Sequence, residues 1–154
     1  MFTFLLPLVN TLFLYKAGKI SSLYMQDANE RLMPYLGAVV YYIALFMLFR
    51  NSGLSSFYGI IVLAAIAALV TSLLINYKFK ISAHMVGVGG VVGVLFGMIY
   101  RLQIELLYPI LLMLFIAGII GYARLKLKAH SPTQVYFGFV VGCVTELLFV
   151  IYYR

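Results

Sequence analysis

Ala123-Arg124-Leu125-Lys126-Leu127-Lys128-Ala129-His130-Ser131-Pro132-Thr133-Gln134-Val135 is a short polar and basic stretch in a chain that is otherwise mostly apolar. Hydrophobic segments run into it and away from it. Ser131 followed by Pro132 reads as a helix start, with serine at the N-cap and proline at the first helical position, where its missing N–H costs nothing. His130 then sits just before the N-terminus of a hydrophobic helix, and Arg124 lies six residues upstream. A histidine, an arginine and the free N–H groups of a helix start have the makings of an anion site.

The surrounding composition says where such a site would lie. Of the 154 residues, 65% are hydrophobic and 10% charged, with a mean hydropathy of +1.08. This excludes a soluble globular domain and equally excludes disorder. No Pro/Ser-rich linker divides the chain, so residues 1–154 form one integral membrane domain. The net charge of +7, from 11 Lys and Arg against 4 Asp and Glu, would suggest nucleic acid in a soluble protein. In a chain this apolar, basic loops instead orient helices and meet anionic headgroups, so membrane lipids are the expected partners and nucleic acid is not. Cys143, alone in an apolar run, rules out a disulfide framework and a cysteine-based metal site. Phe2 to Tyr15 lacks the positive n-region and small-residue cleavage pattern of a signal peptide and reads as a membrane segment.

Six hydrophobic segments follow one another, at about Phe2–Leu23, Pro34–Phe49, Phe57–Tyr77, His84–Tyr100, Leu106–Tyr122 and Pro132–Tyr153. Backbone in lipid must satisfy its own hydrogen bonds, and the runs lack the alternation of a membrane barrel. The expected fold is all-α, a six-transmembrane-helix bundle. Tyr35, Tyr77, Tyr100, Tyr108, Tyr122, Tyr152 and Tyr153 fall near segment ends, as interfacial anchors do. Six crossings put loops one, three and five on one face. Those loops hold Asp27, Glu30, Arg31 and Pro34; Lys78, Lys80, Ser82 and His84; and Arg124, Lys126, Lys128 and His130. Both histidines and most of the basic residues converge there.

The fourth segment carries Gly89, Gly93 and Gly97, and the sixth carries Gly138 and Gly142, a spacing that lets helices approach closely. Helices four and six are therefore expected to pack together in the centre, bringing His84 near His130. Packing explains the glycines but not a histidine at the start of each of these helices.

Two histidines with arginines at helix starts suit phosphoryl transfer. One histidine attacks phosphorus, the other protonates the leaving oxygen, and arginines hold the equatorial oxygens. Such a scheme needs no metal or other cofactor, and no carboxylate pair or His-x-x-x-His suggests one. The stretch Ala123-Arg124, five residues, His130, three residues, Gln134 is similar to the third motif (Ser-Arg, five residues, His, three residues, Asp) of the type-2 phosphatidic acid phosphatase superfamily, six-helix membrane phosphatases. Ile81-Ser82-Ala83-His84 resembles its second motif, Pro-Ser-Gly-His. Of the first motif, Lys, six residues, Arg-Pro, only Arg31 and a displaced Pro34 remain, with Tyr24 where the lysine would stand. The resemblance runs from about Asp27 to Gly142.

Carried over, it implies that His130 is the nucleophile and His84 the proton donor. Arg124, Arg31 and Ser82 would hold the phosphate, with backbone N–H groups at the start of helix four. Gln134 stands where the family has an acid. An amide accepts from the imidazole N–H and fixes its tautomer but cannot stabilise the imidazolium by charge. Lys80 or Lys78 could replace the missing lysine; otherwise these lysines read as headgroup contacts. The implied substrate is a phospholipid phosphate or an isoprenoid diphosphate, and the implied location is the bacterial cytoplasmic membrane. The basic odd loops would face the cytoplasm by charge count, whereas the resembled family works on the outer or lumenal face.

Two other readings follow from particular residues. Gln134 and the missing lysine fit a relative that binds lipid phosphate without hydrolysing it. Glu146, an acid deep in the sixth segment with Thr71, Ser72 or Gln103 as conceivable partners, fits a small transport or scaffold subunit.

Overall fold

The computed structural model of the chain describes every residue except Tyr24, Gln26, Ala28, Ser55, Tyr153 and Arg154. Tyr24, at the place of the missing lysine, and Tyr153, at the end of the sixth expected segment, thus lie outside the described residues. The elements are α1 (Leu5–Lys16), a single 3-10 turn (Asn29–Arg31), α2 (Leu32–Asn51), α3 (Ser56–Asn76), α4 (Ala83–Leu102), α5 (Leu107–Lys126) and α6 (Pro132–Tyr152). No strand occurs among the described residues. The prolines help to set the starts. Pro7, Pro34, Pro109 and Pro132 each fall within the first three residues of a helix, where the absent N–H has no intrahelical partner to lose.

Five helices, α2 to α6, are long and apolar enough to cross a membrane. The expected count of six helices holds, but the first is shorter than its segment: within Phe2–Leu23, α1 has 12 residues. At about 1.5 Å per residue it reaches roughly 18 Å, short of the ~30 Å hydrocarbon core. Its end is a Schellman turn. Gly18 takes φ +67°, the Lys19 N–H donates to the Leu14 carbonyl at 2.9 Å, and the Gly18 N–H donates to Tyr15 at 3.1 Å. The run Lys16-Ala17-Gly18-Lys19 breaks the apolar segment that its neighbours only appeared to continue. The grouping of loops one, three and five on one face survives, because it depends only on the order of α2 to α6.

The centre is the α4–α6 pair, as the glycine spacing predicts. A Cβ at Gly89 would collide with the Phe139 carbonyl, one at Gly93 with that of Cys143, and one at Gly142 with that of Val86. A Cβ at Gly97 would stand 2.6 Å from Val150 Cγ1. Partners rise together along both helices, so α4 and α6 run in the same direction and start on the same face. The Ser82 N–H donates to the Gln134 carbonyl at 3.2 Å, locking the two starts level. Around this pair, α3 packs on α6 and α4, α5 on α4, α2 on α3, and α1 on α2.

Candidate active site

The site is built by three chain entries onto one face. The first is the 3-10 turn that ends in Arg31. Here Glu30 accepts from the Ser21 N–H at 2.8 Å and Asp27 from the Asn29 N–H at 3.0 Å, so both acids brace the loop. Arg31 is directed elsewhere. Only 8% exposed, it donates through Nε to the Met25 carbonyl and through Nη1 to the Ile81 carbonyl, each at 3.2 Å. Loop one is thereby tied to the segment that leads into α4.

The second entry is Ile81-Ser82-Ala83-His84. Ser82 is the N-cap of α4 in extended conformation, and the carbonyl of Ser82 takes the Met85 and Val86 N–H groups at 2.9 and 3.0 Å. The N–H groups of Ala83 and His84 are those a helix start leaves without an intrahelical acceptor.

The third entry explains the spacing from Arg124 to His130. The last turn of α5 carries Arg124. A second Schellman turn follows: the Ala129 N–H donates to the Arg124 carbonyl at 3.1 Å and the Lys128 N–H to Leu125 at 2.9 Å, with Lys128 at φ +49°. The cap of α6 comes next. The Gln134 N–H donates to Ser131 Oγ at 3.4 Å, and Gln134 Oε1 accepts from the Ser131 N–H at 3.1 Å. This is the reciprocal capping box of a Ser-x-x-Gln start. His130 is held between the two turns, with Nδ1 3.2 Å from the same Gln134 Oε1.

Arg31, His84, Arg124 and His130 all line one cavity of about 500 Å³. Its remaining wall is mostly apolar and includes Leu8 of α1, Leu23, Tyr35 and Leu69, with Thr3 and Thr11 among them. No carboxylate is among the described lining residues, so the positive groups act unopposed on whatever enters. Burial pushes the His130 imidazole down to about 4, helped by Arg31 and more weakly by Lys80 and Arg124, while the Gln134 bond opposes the fall. His130 is therefore a neutral base at ordinary pH. Lys80 is held below the usual lysine range by burial first and by Arg31 second. Arg124 keeps a buried Nε with no hydrogen-bond partner.

This architecture has a counterpart among known families. The profile of the PAP2 superfamily matches residues 55–154, from the start of α3 through α6. The chain belongs to the PAP2 superfamily. The PAP2 match contains Lys80, Ser82, His84, Arg124, His130 and Gln134, and it leaves Arg31 outside. No curated protein and no solved structure matches the chain. PAP2 members are generally phosphatases acting on phosphate esters, and the five long apolar helices fit an integral membrane member.

Within the PAP2 chain, the seven residues singled out in the sequence divide by position. Arg31, His84, Arg124 and His130 line the cavity. Gln134 stands behind His130 as its hydrogen-bond partner. Ser82 is fully buried in the α4–α6 seam, its Oγ without a partner, and is not in the cavity wall. Lys80 is also off the wall and contributes its charge from beside Arg31. Tyr35 departs from its reading as an interfacial anchor: it is 8% exposed, four residues after Arg31, and lines the cavity. Tyr77, Tyr100, Tyr108, Tyr122 and Tyr152 are exposed at helix ends, where anchors belong. The part of α1 that closes the cavity carried no signal beyond Thr3 and Thr11 in an apolar run. Among the described residues, no three His, Cys, Asp or Glu side chains gather.

Proposed function

We propose that this chain is a membrane phosphatase that hydrolyses a lipid phosphate or an isoprenyl diphosphate through a phosphohistidine. The observation that carries the reading is the meeting of His130, His84, Arg124 and Arg31 on one cavity, positive at one end and apolar along the rest. The positive end suits a phosphate and the apolar walls suit the lipid that bears it. An integral position in the bacterial cytoplasmic membrane goes with this substrate.

In the proposed reaction the Nε2 lone pair of His130 attacks phosphorus, and the bond from phosphorus to the lipid oxygen breaks. That oxygen takes a proton from His84 and leaves as the lipid alcohol, or as the monophosphate when the substrate is a diphosphate. Water then attacks phosphorus, gives a proton back to His84, and releases inorganic phosphate from Nε2. Arg124 and Arg31, with the first N–H groups of α4, oppose the charge on the equatorial oxygens throughout.

Gln134 favours a second reading, a member that binds lipid phosphate without turning it over, because an amide does not stabilise the imidazolium. One assay separates the two. Purified protein in detergent with EDTA is given phosphatidate, phosphatidylglycerophosphate and polyprenyl diphosphate, beside His130→Ala and His84→Ala. Phosphate release by the wild type that both variants lose supports the phosphatase. Saturable binding of all three with no release supports the binder.

A further inference from the structure

A second cavity, of about 490 Å³, lies beneath the first. It shares the lining residues Thr3, Tyr35, Leu69 and Ala83 with the first, so the two hollows adjoin. One side of α4 forms its long wall. His84 lines the upper cavity, and Gly87, Val91, Val94 and Leu95 line the lower one, a single helix face by their spacing. From His84 to Leu95 the helix rises roughly 16 Å. Ile61, Val62, Ala65 and Ala68 of α3 face it with apolar atoms. Of the polar groups there, Ser72 returns its hydroxyl to the Ala68 carbonyl at 2.6 Å, and Tyr42 and Glu146 stand at the same wall.

Gly87 is the glycine of α4 that lines this space without touching α6. Gly89, Gly93 and Gly97 are required by α6, which presses on them. A Cβ at Gly87 would meet nothing within 4 Å. Glycine is a poor helix former, and no neighbour demands it at this position. What its missing side chain leaves open is the lower cavity.

We propose that the lower cavity holds a hydrocarbon chain of the substrate, running from the phosphate at His130 along α4 past Gly87, and that Gly87 keeps this path clear for long chains. The inference rests on reading the upper cavity as a lipid-phosphate site. A chain attached to that phosphate is the occupant because the hollow adjoins the phosphate site, is lined mostly by apolar side chains and has the reach of a lipid tail.

The test compares phosphate release from dodecyl phosphate and butyl phosphate by the wild type, Gly87→Phe and Gly118→Phe. Gly118 is the control: a Cβ there also meets nothing within 4 Å, and it lines neither cavity. The wild type is expected to favour dodecyl phosphate in kcat/KM. Gly87→Phe is expected to lower the dodecyl-to-butyl ratio at least tenfold, and Gly118→Phe to leave that ratio in place. An equal ratio in Gly87→Phe and wild type overturns the inference.

If the wild type releases phosphate from neither compound, the phosphatase reading is left to the assay on phosphatidate, phosphatidylglycerophosphate and polyprenyl diphosphate, and the chain site is judged by labelling. The same measurement decides if Gly87→Phe does not fold. A dodecyl phosphate with a diazirine at its chain end is photolysed on the wild type. Labels on Val91, Val94, Leu95 or Ile61 uphold the site, and labels confined to the outer faces of other helices overturn it.

Discussion

The side-chain oxygen of Gln134 lies 3.2 Å from Nδ1 of His130 and also accepts the backbone N–H of Ser131 at 3.1 Å. A backbone N–H is a donor in every state, so the amide atom it meets is the oxygen. Nδ1 of His130 must then carry the proton, and Nε2 keeps the lone pair. The cap of α6 thus selects the tautomer that a nucleophile requires.

This gives a pH prediction with a definite sign. His130 attacks only when neutral, and its imidazole is pushed down to about 4, so the acid limb of kcat/KM is expected near pH 4. Gln134→Glu keeps the capping box, because glutamate serves equally at that position, and changes only the charge beside the ring. A carboxylate there favours the imidazolium, so the limb should move up by about one unit or more. A profile of kcat/KM against pH for the two proteins checks it. A limb that stays put would remove His130 from the attacking role.

Arg31 and Arg124 should separate in stability although both face the cavity. Arg31 satisfies the Met25 and Ile81 carbonyls, and Ile81 is fully buried. Arg31→Ala strands a buried acceptor, at about 1–3 kcal/mol of stability, besides losing activity. Arg124 has a buried Nε with no partner to strand. Arg124→Ala is therefore expected to leave the thermal unfolding midpoint near that of the wild type while lowering kcat/KM by about 100- to 1000-fold. Equal midpoints for the two variants would contradict the division of labour drawn from their hydrogen bonds.

The sequence was most legible where a residue type has one dominant physical use. Glycines at steps of four placed α4 against α6, and the order of α2 to α6 put Arg31, His84, Arg124 and His130 on one face. Ser131-Pro132 gave the helix start, and the resemblance to the family's third motif gave Gln134 as the partner of His130. Legibility failed where one residue type serves several ends. Lys16-Ala17-Gly18-Lys19 closes α1 because Gly18 adopts a left-handed φ, yet hydropathy alone runs on through it. Tyr35 had the composition and position of an anchor, and only packing shows it turned inward. Ser82 reads as a phosphate contact from its place in the family's second motif, whereas its burial in the seam, with its N–H bonded to the Gln134 carbonyl, needed the packing to show it.

The glycines themselves offer a graded prediction. Gly93→Ala and Gly142→Ala place a methyl group against the carbonyls of Cys143 and Val86, backbone atoms that cannot swing aside. Each should cost about 1–3 kcal/mol or more, since overpacking a close helix contact forces the pair apart. Gly118→Ala meets open space and should be neutral or stabilising by up to about 1 kcal/mol, from helix propensity alone. Unfolding in detergent for the three variants orders them. If Gly93→Ala and Gly118→Ala behaved alike, the tight α4–α6 seam would be wrong.

Glu146 supplies the last prediction, and it concerns a residue that the proposed chemistry does not use. It is 6% exposed on α6, its Cγ would stand 3.1 Å from a Cβ at Gly90, and its Oε2 has no hydrogen-bond partner. Two of the partners conceivable from sequence bond elsewhere: Ser72 donates to the Ala68 carbonyl and Gln103 to the Tyr100 carbonyl at 2.7 Å. A buried polar group left unsatisfied costs about 1–3 kcal/mol, whereas an apolar side chain of similar size in the same place costs little. Glu146→Leu should therefore raise stability by about that amount, while Glu146→Gln, which keeps an unsatisfied polar group, should not. Unfolding midpoints of the two variants in the same detergent distinguish this from the opposite outcome. A loss of stability in Glu146→Leu that Glu146→Gln escapes would mean that this carboxyl is held by a bound water or ligand, and the lower cavity it lines would then have a polar occupant as well as an apolar one.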